Sequence, residues 1–176
     1  MAPRSFPLLS PGLLGHPFRY LIQTAKMLAL AHLFWEYGYS LGPASGPSML
    51  PTFRVINEQL LISKRHRNGR GVRVGDLVVY EIPIFPDSNG IKRVVGMPGD
   101  YVLLNTPGSG SDAMIQVPKG HCWLVGDNLP ASRDSRQFGP VPLALVKGKV
   151  IARTWPLYKF EWIKNPLKSP GESPVI

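Results

Sequence analysis

The sequence predicts a mainly β fold: a compact domain of short strands preceded by an N-terminal membrane-associated helix. Three observations carry this expectation. Glycine and proline are abundant, 18 and 19 of 176 residues, and both disfavour helix interiors. After Gly42, short β-branched runs alternate with turn formers, the pattern of short strands in a packed sheet. Before Gly42 there is one apolar segment, Tyr20 to Leu41, close to the ~20 residues that a membrane span requires. A hydrophobic share of 44% supports a sizeable core and excludes wholesale disorder. The length fits one domain of ordinary size.

Residues 1–19 read as a basic N-terminal segment. They carry Arg4 and Arg19, and the first carboxylate of the chain is Glu36. Acid-free basic N-termini occur in organelle transit peptides and on the matrix or cytoplasmic flank of membrane anchors. A basic tail without order has the same composition.

Residues 20–41 read as a membrane anchor helix. Its apolar heart, Met27 to Trp35, is short, and Gln23, Lys26, His32 and Glu36 interrupt the window. Lys26 can snorkel, and Trp35, Tyr37 and Tyr39 suit a membrane interface. His32 and Glu36 are four apart, the spacing of a pair on one helical face, and such a pair in a membrane faces protein rather than lipid. The window is therefore a weak single span, a helix completed by a partner, or an amphipathic surface helix. For a span, the positive-inside bias sets the N-terminus on the matrix-like side and the remaining chain opposite.

Residues 42–164 read as the folded domain. Strands are expected at 60–63, 76–84, 91–95, 101–104, 121–126 and 147–154. The segment Lys64 to Arg73 holds Lys64, Arg65, His66, Arg67, Arg70 and Arg73 among Asn and Gly. It reads as a solvated hairpin loop or, more sharply, as a patch for anionic phospholipid head groups. Residues 105–116 read as a further loop and 165–176 as a disordered tail.

With 20 Lys and Arg against 11 Asp and Glu, the formal charge is +9. That charge draws a protein to nucleic acid or anionic lipid without choosing between them. The basic run has no interleaved aromatic residues, which argues against nucleic acid. The single cysteine, Cys122, excludes an intramolecular disulfide and a multi-cysteine zinc site. The four histidines show no metal-ligand spacing.

Three patches carry candidate chemistry. In Gly46-Pro47-Ser48-Met49-Leu50-Pro51-Thr52, a serine between prolines sits on a rigid bend that fixes its hydroxyl direction; an ordinary turn has the same look. In Ile91 to Asp100, a strand over 91–95 sets Lys92 and Val94 on one face and Ile91, Arg93 and Val95 on the other. One cation must then face the buried side. A lysine survives there by losing its proton, which an arginine does not do, so Lys92 is the candidate. The alternative is an edge strand with both cations solvated. The third patch, Gly126 to Arg136, is dense in turn formers, and Asp134 and Arg136 are spaced for a short-range ion pair. A serine nucleophile needs a base, and a neutral lysine serves as an alternative to histidine. Ser48 and Lys92 thus form a candidate Ser–Lys dyad.

The ordered segments GPSMLPT, GDLVVYEIP, IKRVVGMPGD and GDNLPASRDSRQFGPV resemble the type I signal peptidases, over residues from about 42 to 151. The short length, the N-terminal segment and the ending RTWPLYKFEWIKNP resemble the mitochondrial inner-membrane branch of that family. The resemblance implies an antiparallel β catalytic domain behind a membrane anchor, facing the intermembrane space. It implies Ser48 as nucleophile, Lys92 as general base and Ser132 as the serine whose hydroxyl orients the lysine amine. Asp134 and Arg136 match a structural ion pair, Asp127 and Asn128 the turn that opens the motif. Met49 and Ile91 match positions lining a shallow pocket for a small substrate residue. The implied substrates are precursors with N-terminal sorting signals, and the implied partner is a second related protease subunit in a heterodimeric membrane complex. No metal, organic cofactor or nucleic acid is expected. One position departs: some bacterial members carry a hydroxyl for the oxyanion hole two residues before the nucleophile, where this chain has Gly46.

Three rival readings follow from the same residues. One is a Ser–His hydrolase using His121 or His66. Another is a basic nucleic-acid-binding or self-cleaving repressor-like module, for which the 41 residues before the candidate domain offer no helix-turn-helix. The third is an idle scaffold subunit, against which the intact Ser48 and Lys92 speak.

Overall fold

The computed structural model describes residues 17–85, 87–108, 110 and 112–167. Most of the basic N-terminal segment and of the predicted disordered tail lies outside the described residues. The chain begins with helix α1 (Pro17–Leu33), which runs into a π-helical turn at Phe34–Gly38 and then directly into strand β1 (Tyr39–Ala44). The helical segment is therefore shorter than the window 20–41: Tyr39–Leu41 pair with Leu61–Ser63 as sheet. No described helix is long and apolar enough to cross a membrane. The side chains from Phe18 to Trp35 are exposed. Glu36 reaches Arg67 at 3.5 Å rather than pairing with His32 as its spacing suggests.

The remaining strands are β2 (Glu58–Ser63), β3 (Leu77–Glu81), β4 (Asn89–Gly96), β5 (Tyr101–Leu103), β6 (Met114–Gln116), β7 (His121–Val125), β8 (Val141–Pro142), β9 (Val146–Trp155) and β10 (Glu161–Trp162). A short helix, α2, spans Ser135–Phe138. Among the described residues, eight strands form one sheet in the order β1-β2-β9-β3-β4-β7-β8, with β10 also on β9, while β5 and β6 form a separate ribbon. All the pairings are antiparallel. Each predicted strand is found.

The basic stretch after β2 is not a hairpin loop. Strand β9 lies between β2 and β3, so Lys64–Gly69 forms a 3-10 connection that carries the chain past β9. Its charges are partly used internally, since Lys64 Nζ donates to Trp35 O at 2.8 Å and Arg67 meets Glu36. This segment fixes the end of the N-terminal helix to the domain.

The central strand β3 reads Leu-Val-Val-Tyr, and all four are buried. It is apolar without alternation because both of its faces are covered. Leu77 and Val79 join Ala44, Met49, Phe53, Leu60, Ile62 and Val150 in one cluster. Val78 and Tyr80 join Val94, Cys122, Leu124, Val141 and Val146 in another. Trp123 closes a third with Val102 and Val117 under the β5–β6 ribbon.

Candidate active site

The bend that carries Ser48 is built by its neighbours. Gly46 has φ +95° and ψ 158°, a region open only to glycine. Its N–H donates to Val55 O at 3.0 Å. Pro47 then opens a 3-10 turn over Pro47–Met49, a position where its missing N–H costs nothing. Leu50 N–H returns to Pro47 O and Phe53 N–H to Met49 O, at 3.2 and 2.8 Å. The side chain of Met49 is buried in the first core cluster, which anchors the turn and leaves the neighbouring Ser48 half-buried.

Lys92 lies within β4, opposite Val78 of β3. The alternation expected from the sequence is observed: Lys92 and Val94 are buried, Ile91 and Arg93 are half-buried, and Val95 is exposed. Strand β4 pairs with β3 along Asn89–Arg93 and with β7 from Arg93 onward, so its edge is open at Asn89–Lys92, yet Lys92 is buried and not solvated. Lys92 is 5% exposed, and its Nζ lies 2.6 Å from Ser48 Oγ. Burial lowers the pKa of Lys92, with Asp134 and Asp127 acting in the opposite sense. That is the direction a lysine base requires.

The loop after β7 ties these elements together. Asn128 N–H donates to Ser48 O and its Nδ2 donates to Pro47 O, both at 3.0 Å. Asp127 accepts from Arg93 Nε at 2.8 Å and Arg93 Nη2 at 2.7 Å, and also from Thr52 Oγ1. One carboxylate therefore binds the residue after the lysine and a residue of the serine bend. Burial alone would raise its pKa, but the bonds from Arg93 and Thr52 hold it below the usual carboxylate range. Neither Arg93 nor Thr52 stands out in the sequence. Arg93 is adjacent to the lysine, but nothing in the spacing announces a partner 34 positions on.

Asp134 is fully buried and receives Gly126 N–H at 3.0 Å, Ser132 Oγ–H at 2.6 Å and Arg136 Nε at 2.8 Å. Burial would raise its pKa, and these donors hold it low instead. Arg136 extends the network to Thr106 Oγ1 and Leu129 O. Asp134 and Arg136 thus form the ion pair that their spacing suggested. The Ser132 hydroxyl donates to Asp134, and Lys92 Nζ is bonded to Ser48 Oγ.

His121 and His66 take no part. The Nδ1 of His121 is bonded to Lys119 O, and that of His66 to Arg70 O. A groove of about 610 Å³ leads to Ser48 and Lys92, with Ser40–Gly46 on one side and Asn89–Lys92 on the other. Met49 and Ile91 both line it. Strand β1 is the last in the sheet order, and β4 pairs with β7 only from Arg93 onward. Two open strand edges therefore flank the groove, a geometry that accepts an extended peptide. The β1 wall had no signal in the sequence, because Tyr39–Leu41 continues the aromatic texture of the preceding helix.

Comparison with known proteins adds a family. The model for "Signal peptidase, peptidase S26" matches residues 18–108 and 105–155. Mitochondrial inner membrane protease subunit 1 of Schizosaccharomyces pombe is 42% identical over 151 residues, covering 85% of this chain and 94% of the relative. The human protein of that name is 38% identical over 154 residues, covering 87% and 92%. Mitochondrial inner membrane protease subunit 2 of Danio rerio is 33% identical over 135 residues, covering 77% and 72%.

Proposed function

The chain belongs to the signal peptidase family, peptidase S26, and from that premise we propose that it removes N-terminal sorting sequences from proteins delivered to the mitochondrial intermembrane space, using Ser48 and Lys92. As a family member it is a serine-type endopeptidase, and the names of its relatives set it at the mitochondrial inner membrane. The observation that carries the dyad is the 2.6 Å approach of a buried lysine to a serine held on a rigid bend.

In the proposed mechanism, neutral Lys92 accepts the Ser48 proton as Oγ attacks the scissile carbonyl. Lysine ordinarily titrates well above neutral pH, and burial lowers the pKa of Lys92, the direction this step requires. The N–H of Ser48 is the oxyanion donor at hand. The Gly46 N–H is committed to Val55, and Gly46 offers no hydroxyl. Lys92 then protonates the leaving amine, and a water that Lys92 deprotonates attacks the Ser48 ester, freeing the leader carboxylate and restoring the Ser48 hydroxyl.

The helix α1 and its aromatic end serve as the membrane attachment, with residues 42–164 as the peptidase domain facing the intermembrane space. Relatives are named as subunits 1 and 2, which supports a second related subunit as partner. The reading is tested by incubating a precursor with detergent-solubilised wild type and Ser48→Ala protein and sequencing the new N-terminus. Wild type should release one mature N-terminus and Ser48→Ala none. Cleavage by Ser48→Ala at the same bond would overturn the assignment.

A further inference from the structure

Resting on the reading of Ser48 and Lys92 as the dyad, we propose that the groove selects leaders carrying an acidic side chain about three to five residues before the scissile bond, through Lys64 and Lys147. Beside the dyad lysine, three cations line the groove, Arg54, Lys64 and Lys147, and no carboxylate does so among the described residues. The two lysines stand at the end away from Ser48. Lys64 follows Ser63, which pairs with Tyr39, the first residue of β1. Lys147 follows Val146, the partner of Tyr80, and its ammonium lies 2.6 Å from Glu81, which faces Asn89, the first residue of β4.

Strand geometry converts these positions into a substrate register. At ~3.3 Å per residue, Asn89 lies ~10 Å back along β4 from Lys92, and Tyr39 lies ~16 Å back along β1 from Ala44. An extended peptide in the groove covers that span in about three to five residues. Both ammoniums retain donors for it. Each has three N–H groups, of which Lys64 gives one to Trp35 O and Lys147 pairs with Glu81. Two cations against one carboxylate leave this end positive.

The segment before the cut is the part that recognition must read. A leader-removing peptidase acts on mature sequences that are unrelated to one another, so what its substrates share lies in the leader. That segment also stays attached to Ser48 in the acyl-enzyme.

The test uses full-length, detergent-solubilised Ser48→Ala protein and fluorescent leader peptides with Glu, Ala or Lys at the fourth residue before the cut. Binding should follow the order Glu, Ala, Lys, with about two- to fivefold in Kd per lysine engaged. The order should shrink toward equality at ~0.5 M salt, where exposed pairs are screened. In the Lys64→Gln, Lys147→Gln background, the Glu-to-Lys ratio should fall to about one. Equal binding of the three peptides would overturn the proposal. So would an order that persists in the double variant or at high salt. If the double substitution instead weakens only sedimentation with phosphatidylglycerol vesicles, the lysines belong to a lipid surface and the proposal is wrong. Cleavage of the Ala peptide by wild type tests the dyad separately: its absence strikes the dyad reading, whereas charge-ordered binding does not depend on chemistry.

Discussion

Gly126 stands against Ser132 so closely that a Cβ on the glycine would overlap the serine hydroxyl. The same Cβ would come within 2.6 Å of the Ser48 carbonyl oxygen. The glycine therefore sets the distance between the loop after β7 and the serine bend. Gly126→Ala must push one of them away, and a displacement of about 1 Å at a reacting group costs on the order of 10²-fold in rate. The expected result is a fall in kcat of that order in a protein that still folds, read by single-turnover cleavage beside a thermal melt. Wild-type kcat in the variant would contradict the packing argument.

Asp134 and Arg136 should matter first for stability. The carboxylate is fully buried and the guanidinium nearly so, and removing one member of a buried pair leaves an uncompensated charge, at a cost of about 3–5 kcal/mol. Asp134→Ala should lower the denaturation midpoint by that equivalent. Because the folded pKa of Asp134 is depressed, its contribution is complete above the unfolded value of ~3.9 and is lost as pH falls through the folded one. Urea melts from pH 6 to pH 2 should lose a stabilising increment in wild type that Asp134→Ala lacks throughout.

Asn128 is expected to act on rate rather than on folding. Its Nδ2 bond to Pro47 O is exposed, while its backbone bond to Ser48 O survives substitution. Asn128→Ala should reduce kcat/KM by the equivalent of about 0.5–1.5 kcal/mol with little change in the melt. A large loss of stability would mean that the side chain holds the fold and not the bend.

The pH–rate profile follows from the burial of Lys92. The ammonium cannot accept the Ser48 proton, so log kcat/KM should rise with unit slope as pH increases toward the lowered pKa of Lys92 and then level. His121→Ala should leave this limb in place, because His121 is bonded to Lys119 O and not to the serine. A flat profile from pH 5 to 9 in wild type would remove Lys92 from the role of base.

Much of this fold is legible in the sequence. The strands around Val78, Val94, Leu124 and Val150 read directly, because β-branched runs between turn formers have few other ways to be buried. Period-two alternation required one of Lys92 and Arg93 to face inward, and the ability of a lysine to lose its proton picked Lys92. Strand β1 was not legible, since Tyr39 at its start continues the aromatic end of the helix and Gly42-Pro43 mimic a linker. Strands β8 and β10 are two residues each and carry no periodicity. The basic run Lys64–Arg73 misled for a topological reason: local charge and turn formers do not reveal that β9, some eighty residues later, inserts between β2 and β3. Likewise, Arg93 within β4 and Asp127 beyond β7 meet only once the sheet has folded.

The proposed catalysis rests on Lys92 serving Ser48 as its base. Its most direct test is single-turnover cleavage of a leader-bearing precursor by wild type, Ser48→Ala, Lys92→Ala and His121→Ala, each verified as folded by melt and circular dichroism. The predicted result is cleavage by wild type and His121→Ala, with none by Ser48→Ala or Lys92→Ala. Sustained cleavage by a folded Lys92→Ala protein would contradict it.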